Sequence, residues 1–210
     1  VHTLIMLGAW DDAVTGRQPG GMPGLMGEPH ERQALAWAIL LHDIGKPATM
    51  TRSDRIRFNG HDALGQTMAA AVLRRLRRPN WLIQAVEELV GGHMRFIHIR
   101  EMRPAKRRRF AARDLYPLHL ELHRLDCLGS HGKMDGYEDG VAAYREEQAK
   151  PPPRDRLING HDLMAVGYEP GPRLGRILEA VEDARLEGVV DTADEAMAWV
   201  QAHFPLRDPE

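Results

Sequence analysis

The octapeptide Leu40-Leu41-His42-Asp43-Ile44-Gly45-Lys46-Pro47 closes a nearly all-apolar run, Ala34-Leu35-Ala36-Trp37-Ala38-Ile39-Leu40-Leu41. A helix that is apolar on every side belongs in the middle of a domain. Gly45 and Pro47 then stop it, as Gly just past a helix and Pro beyond it usually do. The chain thus places an imidazole and a carboxylate, His42 and Asp43, at the buried end of its most apolar segment. An ionised carboxylate taken out of water costs several kcal/mol, roughly, unless it is paired or bound to a cation. A metal ion meets that need and uses the neighbouring imidazole as well. The alternative is a helix whose C-terminus merely surfaces at His42, which is the commoner outcome for an isolated His-Asp pair.

The rest of the chain reads as helices. His2 to about Val14 is helical, with Ile5, Ala9 and Ala13 near one line, and Glu31 to Asp43 is the buried helix. Residues 15–29 are too rich in Gly and Pro for a regular element and form a long loop, either mobile or a lid. A small hairpin is expected over 49–58, around Ser53-Asp54. Asn59 caps a helix that runs to about Arg77, with Asp62 placed as in a capping box. Its apolar line is Gly65, Met68, Val72 and Leu76, with His61 on it. Pro79 starts the next helix, where Leu82, Val86 and Leu89 face inward and His93 extends that face. A basic helix follows over 104–114. Then comes Leu115 to Gly129, striped by Leu118, Leu122 and Leu125 with Asp126 at the stripe's border. Gly136 to Gln148 is a polar helix. After the stiff break Lys150-Pro151-Pro152-Pro153 come helices over 160–166, 172–186 and 192–203. The expected fold class is all-α, with one domain over 1–149 and a helical tail over 150–210.

The formal net charge of −2 excludes an overall field that selects polyanions. The balance is uneven, however: from Arg74 to Arg113 there are eleven Arg and one Lys against three Glu. That run is a candidate phosphate track for RNA. The single cysteine, Cys127, rules out an internal disulfide and suits a reducing cytosol, so a cytoplasmic protein is expected. No apolar run approaches the ~20 residues of a membrane helix. The chain starts at Val1, inside what reads as a helix, so a preceding segment is expected.

Five helices begin or end with a histidine or acid on the apolar face: His2, His42 with Asp43, His61, His93 and Asp126. Each alone is more often a satisfied core residue than a ligand. Their joint occurrence on inward faces points to a shared pocket. The order His … His-Asp … Asp resembles the HD superfamily of metal-dependent phosphohydrolases. On that resemblance His2, His42, Asp43 and Asp126 hold a first metal, and His61 and His93 fall where the two-metal variant has its extra histidines. Lys46 of His-Asp-Ile-Gly-Lys is also the superfamily's. The phrases LLHDIGKPAT, FNGHDALG, GGHMR and RLDCLGSHG are similar to the HD domain of bacterial tRNA nucleotidyltransferases, the CCA-adding enzymes. The segment LINGHDLMAVGYEPGPRLGRILEAVEDARLEGVVDTADEAMAWV is similar to that family's helical tail. The nucleotidyltransferase head is absent from this sequence, so a missing N-terminal head is expected. The resemblance implies an HD helical bundle with phosphatase or 2',3'-cyclic phosphodiesterase activity on nucleotides or RNA ends. It equally allows the HD portion of a tRNA nucleotidyltransferase that serves mainly to hold tRNA.

These residue types suit that chemistry. Imidazole and carboxylate without thiolate suit Mg, Mn, Fe, Co, Ni or Zn and do not choose among them. Six ligands permit two ions; one ion, with His61 and His93 on the substrate phosphate, is equally compatible. Asp43 is the candidate to bridge two ions or orient the attacking water. Lys46 is placed to neutralise phosphoryl oxygens in the transition state, and Arg95, two residues after His93, is a second candidate. His131 lies near the final ligand, as a substrate contact or a helix cap. His119 and His123, one turn apart, read as a partly exposed polar pair, Cys127 as a small buried residue, and His161-Asp162 as a cap.

Overall fold

Helical periodicity decides the architecture. The computed structural model describes residues 1–17, 28–149 and 156–206. Its elements in order are α1 (His2–Val14), α2 (Pro29–Leu41), α3 (Lys46–Thr49), β1 (Thr51–Arg52), β2 (Ile56–Arg57), α4 (His61–Arg75) and α5 (Asn80–Gly92). A 3₁₀ turn over His93–His98 leads to α6 (Pro104–Ala111), α7 (Tyr116–Gly129), α8 (Asp135–Gln148), α9 (Gly160–Ala165), α10 (Pro172–Leu186) and α11 (Ala193–His203). The all-α class expected from the sequence is the one observed. The strands β1 and β2 pair antiparallel, Thr51 opposite Arg57 and Arg52 opposite Ile56, within the expected hairpin. Arg57 braces its tip by donating to Ser53 Oγ and the Asp54 carboxylate. Residues 18–27 of the expected loop and Pro151, Pro152 and Pro153 of the expected break lie outside the described residues. No described helix is long and apolar enough to cross a membrane.

The chain forms two compact units, one from Val1–Glu101 with Ala111–Arg145, the other from Met102–Phe110 with the residues from Glu146 on. The sequence reading drew one cut at 149/150; the structure groups most of the basic helix α6 with the C-terminal residues instead. Within that second unit Arg108 pairs with Glu147 and donates to the Leu186 carbonyl, and Arg109 pairs with Glu179 and Asp183.

The first unit is built on Leu35 and Ile39 of α2, Ala69 and Leu73 of α4, Val86 and Leu89 of α5, and Leu122 and Leu125 of α7, all fully buried. Each large aliphatic side chain among them contributes about 1.5–3 kcal/mol. Three local expectations shift. On α1 Ile5 is 47% exposed, and the buried residue is Met6, with His2 one turn before it. On α2 Leu40 is 51% exposed, so the helix is buried on one side only and shows an apolar back. On α4 the inner face is His61, Gly65, Ala69 and Leu73, a clean four-residue step, while Leu76 is 45% exposed. Small residues carry that face because α4 lies close to its neighbours: a Cβ on Gly65 would come 3.3 Å from Val90 Cγ1. Asn59 does not cap α4. Gly60 does, in the left-handed conformation at φ 75, which costs glycine little.

In the second unit Leu163, Ile177, Ala196 and Val200 are fully buried among Ile158, Tyr168 and Val181. Asn159 caps α9 with Asp162 in a capping box, so His161-Asp162 opens a helix as expected. Thr192 and Glu195 cap α11 reciprocally, with Thr192 Oγ1 accepting from the Glu195 amide at 3.2 Å. Thr192→Ala is expected to destabilise the chain by about 1 kcal/mol, read as a lower urea midpoint.

Candidate metal centre

All six sequence-predicted ligands come together. Nε2 of His2 lies 3.0 Å from Asp126 Oδ1, and Nε2 of His42 lies 4.0 Å from the same oxygen. Asp43 reaches both ways: Oδ2 is 3.3 Å from His42 Nε2, while Oδ1 is 3.5 Å from His61 Nε2 and 4.0 Å from His93 Nε2. The donors therefore sort into two triads, His2-His42-Asp126 and Asp43-His61-His93, each with its ligand atoms within 4.8 Å of one another.

Local backbone aims the rings. His42 Nδ1 donates to the Ile39 carbonyl at 2.9 Å, His61 Nδ1 to Phe58 at 2.8 Å and His93 Nδ1 to Val90 at 2.6 Å. In each case the acceptor is three residues upstream. A ring that donates through Nδ1 presents its Nε2 lone pair outward. The Nε2 atoms of His61 and His93 then face each other at 3.1 Å, acceptor against acceptor. His42 Nε2 is buried and makes no hydrogen bond within the chain. Convergent lone pairs beside two carboxylates fit a divalent cation, and no sulfur ligand intrudes.

The electrostatics agree. Burial pushes the Asp43 carboxyl up, but the adjacent His42 imidazole and the hydrogen-bonded Lys46 ammonium outweigh it and hold the group well below the carboxylate range. Burial likewise opposes charge on His42, yet Asp43 beside it wins and raises the imidazole. Burial, then the neighbouring His42 and His61, lower His93 to about 4, so it is neutral at pH 7.

Glycines permit the approach of the elements. A Cβ at Gly45 would come 2.3 Å from the His61 carbonyl oxygen, and one at Gly129 would come 2.9 Å from His2 Nδ1. The centre opens into a cavity of about 960 Å³. Lys46 lines it, 2.6 Å from Asp43 Oδ2, and so does His131, whose Nδ1 accepts from the Lys133 amide. The sequence reading missed Arg55, Phe58, Ile97 and His98, which also line it. Only the proximity of the hairpin to the Asn59-Gly60-His61 turn hinted at the first two.

Arg95 is elsewhere. It lines a separate hollow of about 310 Å³ with Glu88 and Arg113. The cause is the 3₁₀ turn after α5: at ~3 residues per turn, a residue two past His93 points to another side. His119 and His123 are not partly exposed but buried, at 0% and 5%. His119 packs under Gly92, where a Cβ would meet its Cε1 at 2.4 Å, and His123 stacks on Phe96. Cys127 is buried as expected, its thiol pushed up to about 11 by that burial.

The HD domain pattern matches residues 16–159, and that of tRNA nucleotidyltransferase domain 2 matches residues 141–200. The A-adding tRNA nucleotidyltransferase of Deinococcus radiodurans is 38% identical over 183 residues, 80% of this chain and 41% of that protein. The CC-adding tRNA nucleotidyltransferase of Thermus thermophilus is 38% identical over 169 residues, 78% of this chain and 38% of that protein. The chain thus spans about two fifths of the length of these curated relatives.

Proposed function

The chain belongs to the HD-domain family, and from that membership we propose that it is a metal-dependent phosphohydrolase of the phosphatase or 2',3'-cyclic phosphodiesterase type, acting on nucleotides or RNA ends. The observation that carries the reading is the pair of triads whose imidazole lone pairs converge on the Asp43 and Asp126 carboxylates. His2, His42 and Asp126 would hold one ion, and His61 and His93 a second, with Asp43 between them. A bound divalent ion polarises phosphoryl oxygens and lowers the pKa of water from ~16 toward ~7.

The remaining work falls to side chains. Asp43, ionised and held from both sides, orients the attacking water and accepts its proton's hydrogen bond. Lys46 fixes the Asp43 carboxylate and presents its charge to the cavity, where it offsets charge developing on the phosphoryl group. His131, on the cavity wall, contacts the substrate. A hollow of about 960 Å³ suits an organic ester better than inorganic phosphate alone.

A second reading is supported by the tRNA nucleotidyltransferase relatives. Residues 1–149 would then be the HD portion, and 150–210 the tail, of a longer tRNA-acting enzyme, with the metal site idle or auxiliary. Elemental analysis of the purified chain, together with a phosphate-ester screen, separates the two. The hydrolase reading expects one or two Mg, Mn, Fe, Co, Ni or Zn ions per chain. It also expects turnover of cyclic nucleotides that stops on chelation and returns with metal. Stoichiometric metal without turnover of any ester would favour the holding role.

A further inference from the structure

We infer that the turn between α4 and α5 is a docking surface for an RNA phosphate backbone, distinct from the metal centre. α4 ends in Arg74-Arg75-Leu76-Arg77-Arg78-Pro79, all exposed. The helix closes in a Schellman arrangement, with the Arg77 amide on the Arg74 carbonyl at 2.9 Å and the Arg78 amide on Leu73 at 3.0 Å. That closure forces residue 77 into the left-handed region, at φ 52. Glycine is the residue this position favours, because a Cβ is crowded there. Among the described residues Arg77 is the only non-glycine with positive φ. A side chain kept at a strained position points to something it contacts.

Charge accounting leads to the same place. Further along the basic segment four arginines are paired with acids: Arg100 with Asp139, Arg108 with Glu147, Arg109 with Asp183 and Arg113 with Glu88. At the turn the acid nearest to a guanidinium is Glu87, 3.9 Å from Arg74. Arg78 stacks over Trp37 at 5.4 Å, which fixes its plane and leaves its charge. Arg75 and Arg77 make no ion pair among the described residues. The turn therefore carries four of the segment's eleven guanidinium groups within five residues, with one distant acid beside them.

The distance sets the turn apart from the metal cavity. From His61 to Arg75 along α4 is about 21 Å at ~1.5 Å per residue, so a mononucleotide in the metal cavity reaches no part of the turn. Four guanidinium forks in five residues match a backbone that repeats one phosphate per unit, since the fork takes phosphate oxygens bidentately.

The test is anisotropy of a labelled RNA hairpin bound to this chain, titrated from 50 to 200 mM salt in excess chelator. Chelator makes the result independent of the hydrolase reading. Arg77→Gly is expected to lower affinity by about 3–10-fold and to flatten the salt slope by about one phosphate, near 0.7–0.9. Its melting temperature is expected to rise by about 2–4 °C as the turn relaxes. Arg75→Ala, at a regular helical position, should give a similar loss without altering the turn, and Arg77→Lys should keep most of the affinity. Wild-type affinity and slope in both Arg77→Gly and Arg75→Ala would overturn the proposal. So would displacement of the RNA by polyglutamate at equal charge, which would mark the turn as a site for acidic proteins.

Discussion

Asp43→Ala is expected to lower phosphoester hydrolysis by about 10³-fold or more and to strip the centre of metal. The magnitude follows from position. One carboxylate contacts His42 through Oδ2 and faces His61 and His93 through Oδ1, so its removal disables both triads together. It also frees Lys46, which loses its 2.6 Å partner. Asp43→Asn keeps the shape, removes the charge, and is expected to lose nearly as much. The measurements are initial rates on a cyclic nucleotide and the metal-to-protein ratio of the same preparations. A variant that keeps its metal and turns over at the wild-type rate would remove Asp43 from the mechanism.

Gly45→Ala is expected to destabilise the first unit by about 3 kcal/mol, overpacking at a site with no freedom to yield. A Cβ there would lie 2.3 Å from the His61 carbonyl oxygen and 2.9 Å from the Gly65 nitrogen. Both are main-chain atoms, so no rotamer change relieves the contact. The corner between α2 and α3 must part from α4, and that parting separates His42 and Asp43 from His61. The melting temperature should fall by roughly 6–12 °C, with metal affinity falling alongside. A melting temperature within a degree of wild type would show that the corner yields.

The clustering of the six candidate ligands was legible because their chemistry is anomalous at each position: imidazoles and acids on faces that otherwise bury carbon. His2 was the hardest of these to place, since the α1 line read through Ile5 pointed outward; Met6 and the contact to Asp126 reveal the true face. The α4 face was misread for a related reason. Gly65 and Ala69 carry little hydrophobic signal, although small size is what lets α4 approach its neighbours. Arg95 was misassigned because nothing in Gly91-Gly92-His93 announces a change from α to 3₁₀ winding. The basic helix was counted with the first domain because its acidic partners Glu179 and Asp183 lie about seventy residues away. Hairpin residues such as Arg55 reach the cavity through tertiary folding alone.

Three of the imidazoles take their direction from a main-chain oxygen close by in the sequence. Such donors are set out before any ion arrives, and loading calls for little rearrangement. The same economy removes a means of discrimination. Acids behind the rings would tune their basicity; carbonyls do so less, and first-row ions then compete largely by abundance and intrinsic affinity. Protein purified from cells grown on different trace metals should carry different occupants in the same unaltered frame.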